Sequence, residues 1–374
     1  DGAADDEPTV GLLHSTPEAA EGLTLFTKGR SSLLIDNEGQ LVHEWKSDRQ
    51  SSVAYLRDNG NLVRLGQSPR WNGPGAPRDE TAWNDKWSFA GGSGYIQELA
   101  WDGTLLWEYA HASYEHLSHH DCEVLPNGNV LLSAWEMRSF EECVAMGRDP
   151  ESLSDDQLWS DHIVEIAPDG AGGGKVVWKW CFWDHLVQEH DESKPNFGKP
   201  SEHPGRLDIN ACPGDTDWIH VNSISYNAEL DQVLLSSPNF SEIFIIDHSL
   251  STEEAATAKG DMVYRWGNSA NYGIEAPRTL FGQHNCHWIP AGHPGAGHVL
   301  CFNNGGFNGE RDYTAITELE LPPRDGRGYA LGGAAGNKPA AEPAPGAFGP
   351  VEACWEYTVD GFFASFISGC QRLP

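Results

Sequence analysis

Two short phrases alternate along this chain, and their alternation constrains the fold more than any other feature. The first is an acidic or glycine turn followed by an apolar pair and an aromatic strand end. It runs Ile35-Asp36-Asn37-Glu38-Gly39 to Val42-His43-Glu44-Trp45, then Trp101-Asp102-Gly103 to Leu106-Trp107-Glu108-Tyr109. It returns as Ala167-Pro168-Asp169-Gly170 to Val177-Trp178-Lys179-Trp180, as Ile246-Asp247 to Val263-Tyr264-Arg265-Trp266, and as Cys354-Trp355-Glu356-Tyr357. The second phrase interleaves with it at 57–63, 125–131, 228–234 and 289–300, for example Leu125-Pro126-Asn127-Gly128-Asn129-Val130-Leu131. Each copy reads as a hairpin, with period-two strands around a turn. Two hairpins per unit make a four-stranded sheet, and sheets repeated in fixed order close radially into a β-propeller. Unrelated hairpins in a sandwich would not alternate in this way.

An all-β chain forming a single β-propeller domain over residues 1–374 is therefore expected. The blades fall at 53–109, 119–181, 219–267 and 284–358. Residues 23–46, with an opening strand at 366–374, form a closing half-blade. Gln371-Arg372-Leu373-Pro374 looks like the start of one more hairpin, so a C-terminal fragment or a second subunit is expected to close the ring. The tryptophans borne by the repeat, Trp45, Trp107, Trp178 and Trp266, read as core.

With 24 Lys+Arg against 55 Asp+Glu, the formal charge of −31 excludes a nucleic-acid binder. No run approaches the about 18 apolar residues of a membrane span. The opening Asp-Gly-Ala-Ala-Asp-Asp reads as the start of a processed chain. The eight cysteines include no C-x-x-C pair, which points to disulfides in an oxidising compartment, with Cys286 and Cys301 the favoured partners. A secreted, periplasmic or extracellular protein follows, and the acidity fits a saline or marine setting.

Long insertions separate the hairpins, and on one face of a propeller they would wall the channel mouth. Residues 67–93 carry Trp71, Trp83 and Trp87, 136–160 include a short helix over Ser139–Met146, and the Ala/Gly/Pro-rich stretch 323–350 reads as a flexible loop.

The histidines sit where chemistry would be expected. His119-His120-Asp121, His220-Val221-Asn222-Ser223 and Gln283-His284-Asn285-Cys286-His287 each open an inner strand, and Asp161-His162 begins another hairpin. In a propeller these starts face the central channel, so successive blades would aim imidazoles at one volume. Neighbours on a strand alternate, so only one of His119 and His120 is expected to reach it. One reading makes the histidines ligands of Zn²⁺ or Cu²⁺, held by His120, His220 and His284 with His162 and Asp121 in support. Another makes the propeller a non-catalytic binder whose Trp71, Trp83, Trp87 and Trp183 stack on a phenol or sugar.

The run Asp217-Trp218-Ile219-His220-Val221-Asn222-Ser223-Ile224, followed by Leu234-Leu235-Ser236-Ser237, Glu242-Ile243 and Ile246-Asp247, resembles the bacterial arylsulfate sulfotransferase family of β-propellers. Gln283-His284, Phe302-Asn303-Asn304-Gly305 and Leu125-Pro126-Asn127-Gly128-Asn129 are similar to other blade motifs of that family. The resemblance runs from about Gly22 to Pro374. It implies six blades, with five as the alternative, and transfer of a sulfuryl group from an aryl sulfate to a phenol through a histidine, with no cofactor. By motif matching His284 is the nucleophile, His220 and Asn222 help hold the sulfuryl oxygens, and His119 or His120 comes from an earlier blade. A neutral imidazole and flanking donors suit that chemistry. Where the family carries an Arg after its Ser-Ser, this chain has Pro238 and Asn239. The cation would then come from another loop, with Arg265, Arg278 and Arg311 the candidates.

Overall fold

The computed structural model describes residues 15–67, 87, 91–153, 156–170, 172–212, 216–306, 310–332 and 343–374. It is an all-β protein with five blades in a β-propeller arrangement, the lower of the two expected counts. The chain forms two compact units, 1–120 with 168–175, and 121–167 with 176–374.

The first unit contains a three-stranded antiparallel sheet, β1 (Thr24–Lys28), β2 (Ser31–Ile35) and β3 (Leu41–Lys46). A four-stranded one follows: β4 (Ala54–Leu56), β5 (Leu62–Gln67), β6 (Gly94–Leu99) and β7 (Leu105–Ala110). Leu34, Trp45, Leu62 and Leu99 form its apolar centre.

The chain enters the second unit along β8 (His116–Val124), which is sheeted with β9 (Val130–Ser139), β10 (Gln157–Pro168) and β11 (Gly174–Cys181). A short parallel pair, β12 (Leu186–Val187) and β13 (Leu207–Asp208), comes next. The fourth blade is β14 (Ser223–Asn227), β15 (Gln232–Ser237), β16 (Glu242–Asp247) and β17 (Tyr264–Trp266). The fifth is β18 (His284–Trp288), β19 (Val299–Asn303), β20 (Ala315–Leu319) and, after the hairpin β21 (Arg324–Asp325) and β22 (Gly328–Tyr329), β23 (Trp355–Tyr357). β15 and β16 are buried at every position, as continuous runs such as Val233-Leu234-Leu235 and Ile243-Phe244-Ile245-Ile246 require.

The repeated phrases do repeated physical jobs. In the second, Gly60 and Gly128 take φ of 84° and 88°, and each donates its N–H to the carbonyl three residues back. The preceding asparagines, Asn59 and Asn127, accept from the backbone two residues on. Only glycine adopts that left-handed turn without strain. In the first phrase each buried tryptophan uses its indole N–H to tie its sheet to the turn of the next one. Trp45 donates to Ala100 O (3.1 Å), Trp107 to Gly173 O (2.6 Å), Trp178 to Leu250 O (2.9 Å) and Trp266 to Pro350 O (2.8 Å). Trp355, the last copy, is 41% exposed and lies under the Arg372 guanidinium.

Three expectations are corrected. Residues 366–374 form no strand, because Ile367 and Ser368 adopt φ of 49° and 80°, which breaks an extended run. All eight cysteines are free thiols, so the expected disulfides are not formed. Cys286 and Cys301 do meet, hydrogen-bonded side chain to side chain, and burial holds the Cys301 thiol far above its ordinary range. Of the loop 323–350, residues 333–342 lie outside the described residues; 323–327 are exposed, whereas Tyr329, Ala347 and Phe348 are buried and Gly349 O accepts from Tyr264 Oη (2.7 Å). Trp71 and Trp83 also lie outside the described residues. The expected helix is present as α1 (Phe140–Ala145), started by a reciprocal cap between Ser139 and Glu142. No described helix is long and apolar enough to cross a membrane.

Candidate active site

Within the second unit the starts of β14 and β18 are fastened together. Ser223 Oγ accepts from Cys286 N–H (3.0 Å), Ser225 Oγ from Trp288 N–H (3.3 Å), and Asn222 Nδ2 donates to Gln283 O (2.8 Å). Gln283 in turn spends its amide nitrogen on Ser236 Oγ, Ser237 O and Glu242 O at 2.9–3.1 Å. The Ser-Ser of the sequence motif is therefore scaffold, buried and committed to neighbouring backbone and amide groups.

On this frame stands His284, 8% exposed. Its Nδ1 faces two acceptors, Gly282 O (3.0 Å) and Asn304 Oδ1 (2.9 Å). Asn304 is oriented by its own nitrogen, which donates to Ala364 O (3.0 Å) and Ile367 O (2.9 Å). Between two acceptors, Nδ1 must carry the hydrogen, which leaves the lone pair on Nε2. That nitrogen accepts from Ile367 N–H (3.2 Å). Burial, reinforced by the charge of His220, pushes the imidazole down to about 4 from 6.5, against the opposing bond from Asn304. At neutral pH His284 is thus a neutral base with a fixed tautomer.

His220 is held from the other side. Its Nδ1 lies 2.5 Å from Asp217 Oδ2. The loop carrying this pair is fixed by Asn239, whose Nδ2 donates to Asp217 O (2.7 Å). Buried Asp161 accepts from Val221 N–H at 3.4 Å, and desolvation followed by the Asp217 charge holds its carboxyl well above the carboxylate range. Asn222 keeps a buried Oδ1 that has no hydrogen-bond partner among the described residues.

His119 and His120 belong to the first unit. They do not face opposite ways: their rings are perpendicular and their Nδ1 atoms are 2.8 Å apart. The cause is His120's left-handed backbone (φ 57°), which ends the strand alternation and is accommodated by the bare Cα of Gly91, where a Cβ would collide with the His120 ring. His220 (φ 57°) and Asn285 (φ 49°) repeat that kink. By backbone phase His284 therefore matches His119, and His220 matches His120, so the three histidines are not at one phase. His162 is buried with Nδ1 3.7 Å from Glu136, and Asp121 Oδ2 accepts Ile224 N–H (3.0 Å) in the second unit. The described residues bring three ligand-type atoms within 4.8 Å of one another at His298, Glu318 and Cys354.

A family model described as arylsulfotransferase (ASST) matches residues 13–319. The chain belongs to the arylsulfotransferase family. No curated protein matches it. Among solved structures it is similar to a protein of unknown function from Bacteroides caccae (11% identity, covering 80% of this chain and 69% of that one, TM-score 0.40). Others are the calcium-binding protein regucalcin from Agrobacterium tumefaciens (9% identity, 78% and 64%, TM-score 0.36) and BamB from Moraxella catarrhalis (11% identity, 80% and 70%, TM-score 0.33).

For an arylsulfotransferase the missing motif arginine matters, and the structure sorts its substitutes. Arg265 is fully buried and paired to Glu242 at 2.6 Å, so its charge is spent inside the fold. Arg278 and Arg311 lie over the ring of Phe281, 4.9 and 5.0 Å from its centroid, three residues before His284. Arg278 is neutralised by Glu310 (2.6 Å). Arg311 donates to Asn303 O (2.7 Å) and Tyr313 O (3.0 Å), and no carboxylate pairs with it among the described residues. Sequence reasoning assigned no role to Asp217 or Asn304. The carboxylate three residues before His220 was the signal for the first; for the second there was none, because only the pairing of Phe302 with His284 in the ladder brings Asn304 beside that ring.

Proposed function

We propose that this chain moves a sulfuryl group from a phenolic sulfate ester to a phenol through a sulfuryl-histidine at His284, needing no nucleotide donor. The observation that carries this reading is the enforced tautomer of His284, a buried neutral imidazole whose lone pair sits on Nε2. Nε2 attacks sulfur, and the bond from sulfur to the phenolic oxygen breaks with its electron pair leaving on that oxygen. His220, steadied by Asp217, is the group assigned to protonate the leaving phenol oxygen. In the second half His220 takes the acceptor phenol's proton, and the new phenolate oxygen displaces His284 from sulfur. Charge spread over the sulfuryl oxygens calls for nearby donors. The remaining amide hydrogen of Asn222 and the Arg311 guanidinium are the groups assigned to that task.

Intact-mass measurement after incubation with para-nitrophenyl sulfate tests the reading. The protein should gain one sulfuryl group and lose it when a phenol is added, and His284→Gln should gain none. An adduct that forms equally on the variant, or no adduct on the parent protein, would refute it.

A further inference from the structure

The fifth blade carries a second constellation, at the opposite end of its strands from His284. His298 immediately precedes β19, Glu318 lies in β20 and Cys354 immediately precedes β23, so three adjacent strands each contribute one side chain. The ladder fixes them: Leu300 pairs with Glu318, Glu318 with Trp355, and Cys354 N–H donates to Glu318 O (2.9 Å). His298 Nδ1 lies 2.7 Å from Glu318 Oε1 and 3.8 Å from Cys354 Sγ, and the three atoms are mutually within 4.8 Å.

The geometry points to a divalent metal site of the zinc class at His298, Glu318 and Cys354. Nitrogen, carboxylate oxygen and thiolate sulfur at bond lengths of about 2.0–2.3 Å around a tetrahedral ion lie about 3.5 Å from one another, close to the spacing seen here. Two further features fit a ligand set better than an ordinary ion pair. Gly295 leaves open the space beside Glu318 Oε1: a Cβ there would come within 2.4 Å of that oxygen. Arg372 engages the other carboxylate oxygen, Oε2, so it orients Glu318 and reserves Oε1 for the ion. Cys354 is exposed, which gives the ion a path from solvent. Three protein ligands leave a fourth position for water or a small anionic ligand. Binding converts the Cys354 thiol to thiolate and releases its proton to solvent. Sequence reading alone did not find this set, because its members lie 20 and 36 residues apart and match no spacing motif.

Cobalt(II), a spectroscopic stand-in for zinc, tests the site on the whole chain. Titration should give one equivalent of tetrahedral cobalt with a thiolate-to-cobalt charge-transfer band, and zinc should displace it. Cys354→Ser should abolish that band, and His298→Gln should weaken binding at least about tenfold. Both positions are solvent-accessible, and a thermal melt of each variant establishes that it is folded. No charge-transfer band in the parent protein, or a band of the same strength and affinity in either folded variant, would overturn the proposal.

Discussion

Replacing Asn304 with Asp would put a carboxylate where an amide oxygen now accepts the His284 Nδ1 hydrogen at 2.9 Å. With charge centres near 4 Å and an effective dielectric of about 20, the new pair favours the imidazolium by about 4 kcal/mol. At 1.36 kcal/mol per pKa unit that is about three units, less what it costs to bury the carboxylate. His284, now pushed down to about 4, should therefore titrate two to three units higher in Asn304→Asp. Long-range proton–nitrogen NMR of the histidine side chains reads the midpoint directly. Because protonation removes the Nε2 lone pair, the acid limb of sulfuryl capture should move up by the same amount. A midpoint that stays within half a unit of its present value would show that Asn304 does not face Nδ1. A midpoint that moves while the acid limb stays put would show that His284 is not the nucleophile.

Three other outcomes are expected. Asp217→Asn removes the carboxylate that steadies His220, so kcat should fall about 10²–10⁴-fold with KM little changed, in steady-state assays with an aryl sulfate. Trp178→Phe leaves the buried Leu250 carbonyl without its indole donor and should cost about 1–3 kcal/mol in urea unfolding. His284 has a folded pKa below its unfolded value, so the stability tied to its neutral form is fully present above about pH 6.5 and is lost as pH falls through about 4. The loss amounts to about 3 kcal/mol, and His284→Gln should flatten that part of the stability–pH curve.

The strand plan was legible because its signals are local. Asn-Gly turns and Trp-bearing strand ends announce themselves within a few residues, which is enough to read an all-β chain of repeated four-stranded sheets. The candidate site was legible only as residue types. Which nitrogen of His284 carries its hydrogen depends on Asn304, twenty residues away, and on carbonyls of 364 and 367. The same holds for the relation between His119 and His120, which hangs on one left-handed residue that a period-two rule does not foresee. The 366–374 segment was misread because Gln371-Arg372-Leu373-Pro374 resembles the Leu-Pro start of a hairpin, whereas the backbone N–H groups of Ile367 and Cys370 are spent on the His284 and Asn285 side chains.

Ile367 has a consequence for kinetics. Its N–H occupies the lone pair of His284, and it does so from φ 49°, a region in which a β-branched residue is strained. Strain of this kind is of the order of 1–3 kcal/mol, and swinging the segment away would release it. On the sulfuryl-transfer reading, the resting protein is its own competitive inhibitor, held by a latch that is already under tension. The apparent affinity for donor is then the intrinsic affinity scaled by the unlatched fraction, so relieving the strain with Ile367→Gly would tighten the latch and weaken donor capture.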